Sequence, residues 1–159
     1  MTTVKLEDVI DYLEFANNSY KAYFNKKKGL IQYLLDVIEM DRLEESEEKT
    51  EKERTEAEVL YLEDYIIPDE INADPDNFIP LPDRFGIDGY QIMVGFISSL
   101  EDDKLSDQLL SIIQGRGAFA RFIEKTYEFG LTGKWNKYRY GELKDAAVQW
   151  CQLNNIVFN

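Results

Sequence analysis

Hydrophobic positions near the start of the chain recur at intervals of three and four residues, which is the spacing of one face of an α-helix. They are Leu6, Val9, Ile10, Leu13 and Ala16. Thr3 is a suitable N-cap for this helix, and Asn17 and Asn18 are suitable residues for its end. The pattern therefore predicts that the first element is an amphipathic helix.

Two short runs of aromatic and aliphatic residues come next, "SYKAYF" and "LIQYLL", with "NKKKG" between them. Gly29 can adopt the positive φ that a tight connection between two strands requires. The pattern predicts a β-hairpin with Lys26, Lys27 and Lys28 at its tip. A lysine tip of this kind is usually just solvated, and we assign it no function.

Residues 39–58 contain ten carboxylates and four basic side chains, and no apolar stripe crosses their middle. Such a segment cannot dock on a core by hydrophobic burial, so we interpret it as an acidic connecting segment. The alternative is that its carboxylates imitate a nucleic-acid backbone and bind a basic groove of another protein. "TEAE" at residues 55–58 fits a capping box and predicts a helix that ends at Ile66, before Pro68.

All four prolines of the chain lie within residues 68–85, which predicts an extended connector rather than a regular element. Asn72, Asp74 and Asp76 alternate there as ligands do in a calcium-binding loop. Asn77 stands where that loop needs a glycine, and prolines crowd the remainder. We therefore expect no calcium site.

Two helical stripes follow this connector. Asp88 is the expected N-cap of the first, whose apolar positions are Ile92, Met93, Phe96, Ile97 and Leu100. The second begins near Asp102, whose carboxylate suits the positive end of a helix dipole. Gly115 stands where a left-handed residue commonly ends a helix, so we expect the second helix to stop there.

Two more helices are expected towards the end of the sequence. One begins near Ala118 and ends at Gly130. Its predicted buried residues are Phe119, Phe122, Ile123 and Thr126 or Tyr127. The last runs from about Gly141 to Leu153, and Asn154 and Asn155 close it ahead of the apolar tail "IVF".

These elements predict a mainly helical α+β fold in a single domain over residues 1–159, a length that can bury a self-sufficient core. Residues 1–38 form a lobe with a helix and a β-hairpin. Residues 39–58 form the acidic connecting segment. Residues 59–159 form a helical lobe with a C-terminal bundle of about four helices.

Composition narrows the classes of function. The chain has 18 Lys and Arg against 31 Asp and Glu, a net charge of −13, with no histidine and one cysteine. Without histidine, a familiar catalytic triad cannot be assembled from Ser98, Ser99, Ser106 or Cys151. Cys151 is expected to be an inert core thiol. We therefore predict a protein that is not an enzyme and that holds no metal or cofactor.

The sequence contains no apolar stretch near the roughly 20 residues that a membrane-spanning helix needs. Its first residues, "MTTVKLEDVI", also lack the pattern of a secretion signal. These observations predict a cytoplasmic protein that has no contact with a membrane.

The stretch "GRGAFARF", residues 115–122, concentrates glycine, arginine and phenylalanine in an otherwise acidic chain. Its two glycines are explained by a tight reversal between two helices. Arg116 and Arg121 then either pair with a carboxylate or cap the carbonyl end of a neighbouring helix, or they hold an anion at the start of the following helix. We favour the internal, architectural role.

Basic and aromatic residues alternate between residues 115 and 145, where Trp135, Tyr138 and Tyr140 stand among the lysines and arginines. This pattern is typical of a surface that binds single-stranded nucleic acid, and equally of the edge of a helical core. The candidate contacts to nucleic acid or phosphate are Arg116, Arg121, Lys125, Lys134, Lys137 and Arg139. The net charge of −13 opposes such binding at long range.

Several short segments together resemble a bacterial group known as uncharacterised protein family 0158. They are "FIPLP" (78–82), "FISSL" (96–100), "GRGAF" (115–119), "KWNKYR" (134–139) and "AVQW" (147–150). The first helix and the hairpin also look like the opening of that family. The resemblance implies no reaction, cofactor or ligand, so no catalytic residue is carried over. The family position before Arg121 is often basic, whereas this chain has Ala120, which weakens the anion-site interpretation.

The leading prediction is a non-catalytic cytoplasmic interaction or regulatory module whose partner is a protein of unknown identity. The alternative is nucleic-acid or phosphate binding through the basic and aromatic residues of 115–145. The sequence predicts no particular oligomeric state.

Overall fold

A computed structural model describes residues 2–15, 21–35, 63–82 and 89–159. In these residues the helices are α1 (Leu6–Phe15), α2 (Pro68–Ala73), α3 (Gly89–Ser99), α4 (Asp103–Ile112), α5 (Ala118–Glu128) and α6 (Thr132–Leu153). The strands are β1 (Thr3–Val4), β2 (Ala22–Asn25), β3 (Leu30–Leu34), β4 (Tyr65–Ile66), β5 (Phe78–Pro80) and β6 (Val157–Phe158). The predicted fold, a mainly helical α+β protein with an N-terminal helix and hairpin and with C-terminal helices, is confirmed.

The chain divides into two compact units. The discontinuous unit comprises Met1–Arg84 and Ala147–Asn159, and the contiguous unit comprises Phe85–Ala146. Helix α6 contributes residues to both units. The predicted single domain over residues 1–159 stays a prediction, and the acidic connecting segment, residues 39–58, lies outside the described residues.

The discontinuous unit contains a four-stranded sheet with the order β4-β3-β2-β5. Strands β2 and β3 form the predicted hairpin, paired antiparallel from Ala22 opposite Tyr33 to Asn25 opposite Leu30. Gly29 has a φ of 71° at the turn, as the hairpin prediction required. The short strands β1 and β6 pair parallel to each other, with Thr3 opposite Val157.

A buried polar network joins this sheet to the segment before β5. Asn25 Nδ2 donates to Gln32 Oε1 at 2.9 Å, and Asn77 Nδ2 donates to Asn25 Oδ1 at 2.9 Å. Gln32 Nε2 in turn donates to the Glu63 carbonyl at 2.7 Å. Because these three side chains are nearly inaccessible to water, their hydrogen bonds replace those that solvent would make.

The expectation of an extended connector over residues 68–85 is wrong for its described part, which contains α2, a 3₁₀ helix at Pro75–Asn77 and β5. Pro68 and Pro75 begin their helices, where no N–H is needed for an intrahelical bond. The Glu70 carboxylate also accepts from the Ile67 N–H at 3.1 Å, which satisfies a donor at the start of α2. Proline therefore starts these elements rather than excluding them.

Two other boundary predictions are also wrong. Tyr65 and Ile66 form β4 instead of the end of a helix, because they pair with β3. Thr3 lies in β1 instead of capping α1, because it pairs with β6. The capping box at residues 55–58 lies outside the described part of the chain, as do Asn17, Asn18 and Asp88.

The contiguous unit buries a core between α3, α4, α5 and the start of α6. Its members are Met93, Phe96, Ile97, Leu109, Ile113, Phe122, Leu131 and Trp135. The Phe122 and Trp135 rings meet edge to face, with centroids 4.7 Å apart. Helix α4 begins beside Asp102 as predicted, and the Asp102 carboxylate also caps it by accepting from the Leu105 N–H at 3.0 Å.

Helix α6 begins at Thr132, well before the predicted start at Gly141. Gly141 lies inside the helix, so this glycine does not mark a boundary. The end of α6 was predicted correctly, since Asn155 has a φ of 54° just beyond it. Across the described residues, none of the helices combines the length and the apolar character that crossing a bilayer would require.

Candidate functional site

The turn between α4 and α5 is built on two glycines. Gly115 has a φ of 73° and Gly117 a φ of 74°, both in the left-handed region that side chains other than glycine adopt at a cost. They let the chain reverse within the few residues between Ile112 and Ala118. The glycines of "GRGAFARF" are therefore explained by backbone geometry alone.

Arg121 closes this turn from within the molecule. Its Nε donates to the Ile112 carbonyl at 2.7 Å, Nη1 to the Arg116 carbonyl at 2.6 Å, and Nη2 to the Gln114 carbonyl at 2.6 Å. Carbonyls at the end of a helix lack intrahelical partners and carry partial negative charge, so a guanidinium group satisfies both needs. The Arg121 side chain thus holds the end of α4 to the start of α5.

The other predicted anion contacts have different surroundings. The prediction of an internal partner is wrong for Arg116, because its exposed side chain makes no hydrogen bond or ion pair within the described residues. Lys125 Nζ pairs with the Glu128 carboxylate at 2.7 Å, and this hydrogen bond and the charge of Glu128 raise the pKa of Lys125. Arg139 is partly buried and has contacts of its own. Lys134 and Lys137 lie together on one concave surface.

The aromatic residues among these bases do not form a continuous stacking surface. Trp135 is only 3% exposed and belongs to the core of the contiguous unit. Tyr138 packs its ring on Phe96, with centroids 5.6 Å apart, and its hydroxyl covers the backbone of Gly95. Burial, the charge of Glu142 and a hydrogen bond with Glu142 raise the pKa of Tyr138. Tyr140 is exposed.

Helix α5 carries an apolar face that sequence reasoning placed in the core. This apolar face of α5 consists of Phe119, Ile123 and Tyr127, which are 54%, 38% and 80% exposed. The prediction that Phe119 and Ile123 are buried is wrong, whereas Phe122 is buried as predicted, and of the two alternatives Thr126 and Tyr127 it is Thr126 that is buried. Both sets repeat every three or four residues, so the sequence period could not decide which of the two stripes faces the core.

A cleft lies on the contiguous unit between the end of α3 and one side of α6, and we call it the α3–α6 cleft. Its volume is about 640 Å³. Its charged lining residues are Glu101, Lys134, Lys137, Glu142 and Asp145. This cleft was not predicted from the sequence because its residues come from two separate elements. Lys134 and Lys137 were grouped with Arg121 instead.

Comparison with known protein families shows which family this chain belongs to. A model of the Uncharacterised protein family (UPF0158) matches residues 62–159, more than half of the sequence. The chain belongs to this family. No curated protein and no solved structure matches it. The part matched by the family 0158 model includes the Arg121 turn, the apolar face of α5 and the α3–α6 cleft, whereas the hairpin lies outside it.

The candidate nucleophiles of this family 0158 member are bonded or buried. The hydroxyls of Ser98, Ser99 and Ser106 donate to the carbonyls of Val94, Phe96 and Ile97 at 2.9, 2.6 and 3.0 Å. Cys151 is fully buried, and burial raises the pKa of its thiol. The described residues contain no group of three or more carboxylate or thiol side chains that could hold a metal ion.

Proposed function

We propose that this member of family 0158 is a non-catalytic, cytoplasmic protein-interaction module and that the apolar face of α5 is its contact surface. The observation that carries the proposal is the exposure of Phe119, Ile123 and Tyr127, at 54%, 38% and 80%, along one side of a single helix. Contiguous apolar side chains on a protein surface are typical of sites where another protein binds.

The side chains of this face suit a protein partner. Tyrosine is over-represented among the residues that contribute most to binding, and Tyr127 is 80% exposed. Phenylalanine is also enriched at protein interfaces relative to the rest of the surface, and Phe119 is more than half exposed. A partner with an apolar groove would bury all three members of the face.

The face is also held in a fixed position. Phe122 and Thr126 on the adjacent stripe of α5 are buried in the unit, and Arg121 ties the start of the helix to the end of α4. A partner therefore meets a preformed surface, and little conformational entropy is lost on the side of this chain when the complex forms.

Nucleic-acid or phosphate binding is the weaker proposal. Arg121 donates to backbone carbonyls and Lys125 donates to Glu128. Arg139 has contacts of its own, so three of the six candidate bases are already engaged. The burial of Trp135 removes one stacking surface. The net charge of −13 adds long-range repulsion of a polyanion.

Site-specific photo-crosslinking in the cells of origin tests the proposal. A benzophenone amino acid at position 127 should yield a discrete adduct with a second protein, and the same probe at Asn136, an exposed position of α6, should not. The partner identified from the adduct is then purified. Its affinity should fall by about tenfold or more for Tyr127→Asp and stay unchanged for Asn136→Asp. Equal adducts at both positions, or equal affinities of both variants, would overturn the proposal.

A further inference from the structure

We propose that the α3–α6 cleft binds an elongated zwitterion with the chemistry of a free tripeptide. The volume of the cleft, about 640 Å³, lies within the range of small-molecule sites. Its lining combines an apolar wall with charged groups of both signs, so it offers a ligand both orientation and contact area.

The charged groups in the cleft do not neutralise each other. Within the described residues, Glu101, Lys134, Lys137 and Asp145 make no ion pair and no side-chain hydrogen bond. The Glu142 carboxylate interacts with the Tyr138 hydroxyl, which is neutral below its raised pKa. Charges of opposite sign therefore share one concave surface and remain available to a ligand that carries both.

The charges are also separated along α6. Lys134 and Lys137 lie towards its start, and Glu142 and Asp145 lie further along on the same side of the helix. With a rise of 1.5 Å per residue, the middle of the basic pair is about 12 Å from the middle of the acidic pair. The cleft is therefore basic at one end of its α6 side and acidic at the other.

Gly141 lies between the two pairs and keeps the cleft open. Apart from its chain neighbours and the adjacent backbone of α6, no described heavy atom lies within 4 Å of where a Cβ atom would stand at this residue, and its φ is not in the left-handed region. Neither close packing nor backbone conformation therefore requires glycine, although glycine weakens a helix interior relative to alanine. The effect of Gly141 is to leave free space beside Tyr138, whose ring lies against buried Phe96.

The ligand chemistry follows from this arrangement. A chain of three residues spans about 10 Å when extended, so its terminal ammonium and carboxylate match the separation of the two pairs. The carboxylate would lie against Lys134 and Lys137, and the ammonium against Glu142 and Asp145. The charges of a single free amino acid lie closer together and match this separation less well.

Titration of the full chain with trialanine, followed by amide NMR shifts, tests the proposal. Trialanine should shift the amides of Gly141 and Ser99 in a saturable way, with a dissociation constant of about 1 mM, since both charge contacts are open to solvent. N-acetyl-trialanine and trialanine amide each lack one charge, so each should bind about fivefold more weakly. Absence of saturation up to about 20 mM, or equal affinity of all three peptides, would overturn the proposal.

Two double variants assign the two ends of the ligand. Lys134→Gln with Lys137→Gln should abolish the difference between trialanine and its amide but keep the effect of acetylation. Glu142→Gln with Asp145→Asn should abolish the effect of acetylation but keep the difference between trialanine and its amide. Lys144→Gln and Glu124→Gln make single charge changes outside the cleft lining and serve as controls with unchanged binding. If the controls weaken binding as much as the cleft variants do, the site is not the cleft.

The cleft and the apolar face of α5 are tested separately. Tyr127→Asp, which removes the proposed protein contact, should leave the trialanine titration unchanged, because Tyr127 does not line the cleft. Gly141→Leu should place a side chain in the cleft between the two charged pairs and abolish the titration, while the crosslink at position 127 persists. Each proposal can therefore fail while the other holds.

Discussion

Arg121 joins two helices by donating from its Nε to the carbonyl oxygen of Ile112 across 2.7 Å. Its other two hydrogen bonds end on the carbonyls of Gln114 and Arg116. An anion site at this turn would need the Arg121 guanidinium group to be free, but all three hydrogen bonds are made to the α4–α5 turn. The turn is therefore stabilised by Arg121.

Replacing Arg121 should therefore cost stability. Arg121→Ala removes three charge-assisted hydrogen bonds that are partly open to solvent, and we expect it to lower the free energy of unfolding by about 2 kcal/mol. Urea denaturation followed by circular dichroism measures the change. Arg116→Ala is the matched control, since its exposed side chain has no described partner and its loss should cost less than about 0.5 kcal/mol. Equal stability of the two variants would contradict the structural role of Arg121.

Arg116 is the better residue for testing the nucleic-acid alternative, because its replacement leaves the turn intact. We expect no binding of a single-stranded oligonucleotide by the wild-type chain at physiological salt, since the net charge is −13. Fluorescence anisotropy with a labelled oligonucleotide measures this. Binding by the wild type that disappears in Arg116→Glu would support a nucleic-acid site instead.

Two glycines should respond to alanine in opposite directions. Gly141→Ala should raise the free energy of unfolding by about 0.5–1 kcal/mol, because it improves a helix interior without a clash. Gly117→Ala should lower it by about 1–3 kcal/mol, because φ is 74° and the new methyl group would lie 3.0 Å from Arg121 Nη1. Thermal and urea unfolding of the two variants provide the comparison, and a shift of the same sign in both would refute the assignment.

The buried amide network of the sheet should be sensitive to the loss of one member. Asn25→Ala leaves the Asn77 amide and the Gln32 carbonyl oxygen without their partners, and the N–H groups of Lys27 and Lys28 lose an acceptor. We expect a loss of about 2–3 kcal/mol in the free energy of unfolding. Asn136→Ala, which changes an exposed asparagine, provides the reference by the same urea measurement. A loss no larger than that of the reference would show that the network adds nothing.

The buried thiol predicts a loss of stability at alkaline pH. Burial raises the pKa of Cys151 above the value of 9.0 expected for an unfolded chain, so the unfolded state releases its proton first as pH rises. The contribution to stability is complete below pH 9.0 and is lost as pH rises from there through the folded pKa. Urea midpoints at about pH 8 and about pH 10 should differ less in Cys151→Ala than in the wild type. Tyr33, whose pKa is also raised by burial, retains its own contribution in both proteins.

Local signals in the sequence predicted much of the fold. The hairpin followed from Gly29 between two β-prone runs, and the start of α4 followed from the acidic residue Asp102. The strands β4 and β5 were missed, because short strands exist through pairing with distant residues rather than through their own pattern. Helix α2 was also missed because of the four prolines. In a sequence, a proline that begins a helix looks the same as one that interrupts it.

The functional surfaces were harder to predict. The two stripes of α5 have the same period, and tertiary packing alone buries Phe122 and exposes Tyr127. One sequence feature could have indicated the α3–α6 cleft, namely Gly141 among charged residues at helical spacing. Gly141 was instead interpreted as the start of a helix. Arg121 was placed correctly among internal groups, although its three partners are carbonyls that no sequence pattern identifies.

The pairing of β1 with β6 sets an order of events during synthesis. Val4 lies beside Phe158, so β1 cannot form this pairing until residues 157–158 have been synthesised. Residues 85–146, in contrast, supply a whole compact unit from one uninterrupted stretch and can fold as soon as they emerge. The apolar face of α5 and the α3–α6 cleft can therefore form before β1 pairs with β6, although β1 is synthesised first.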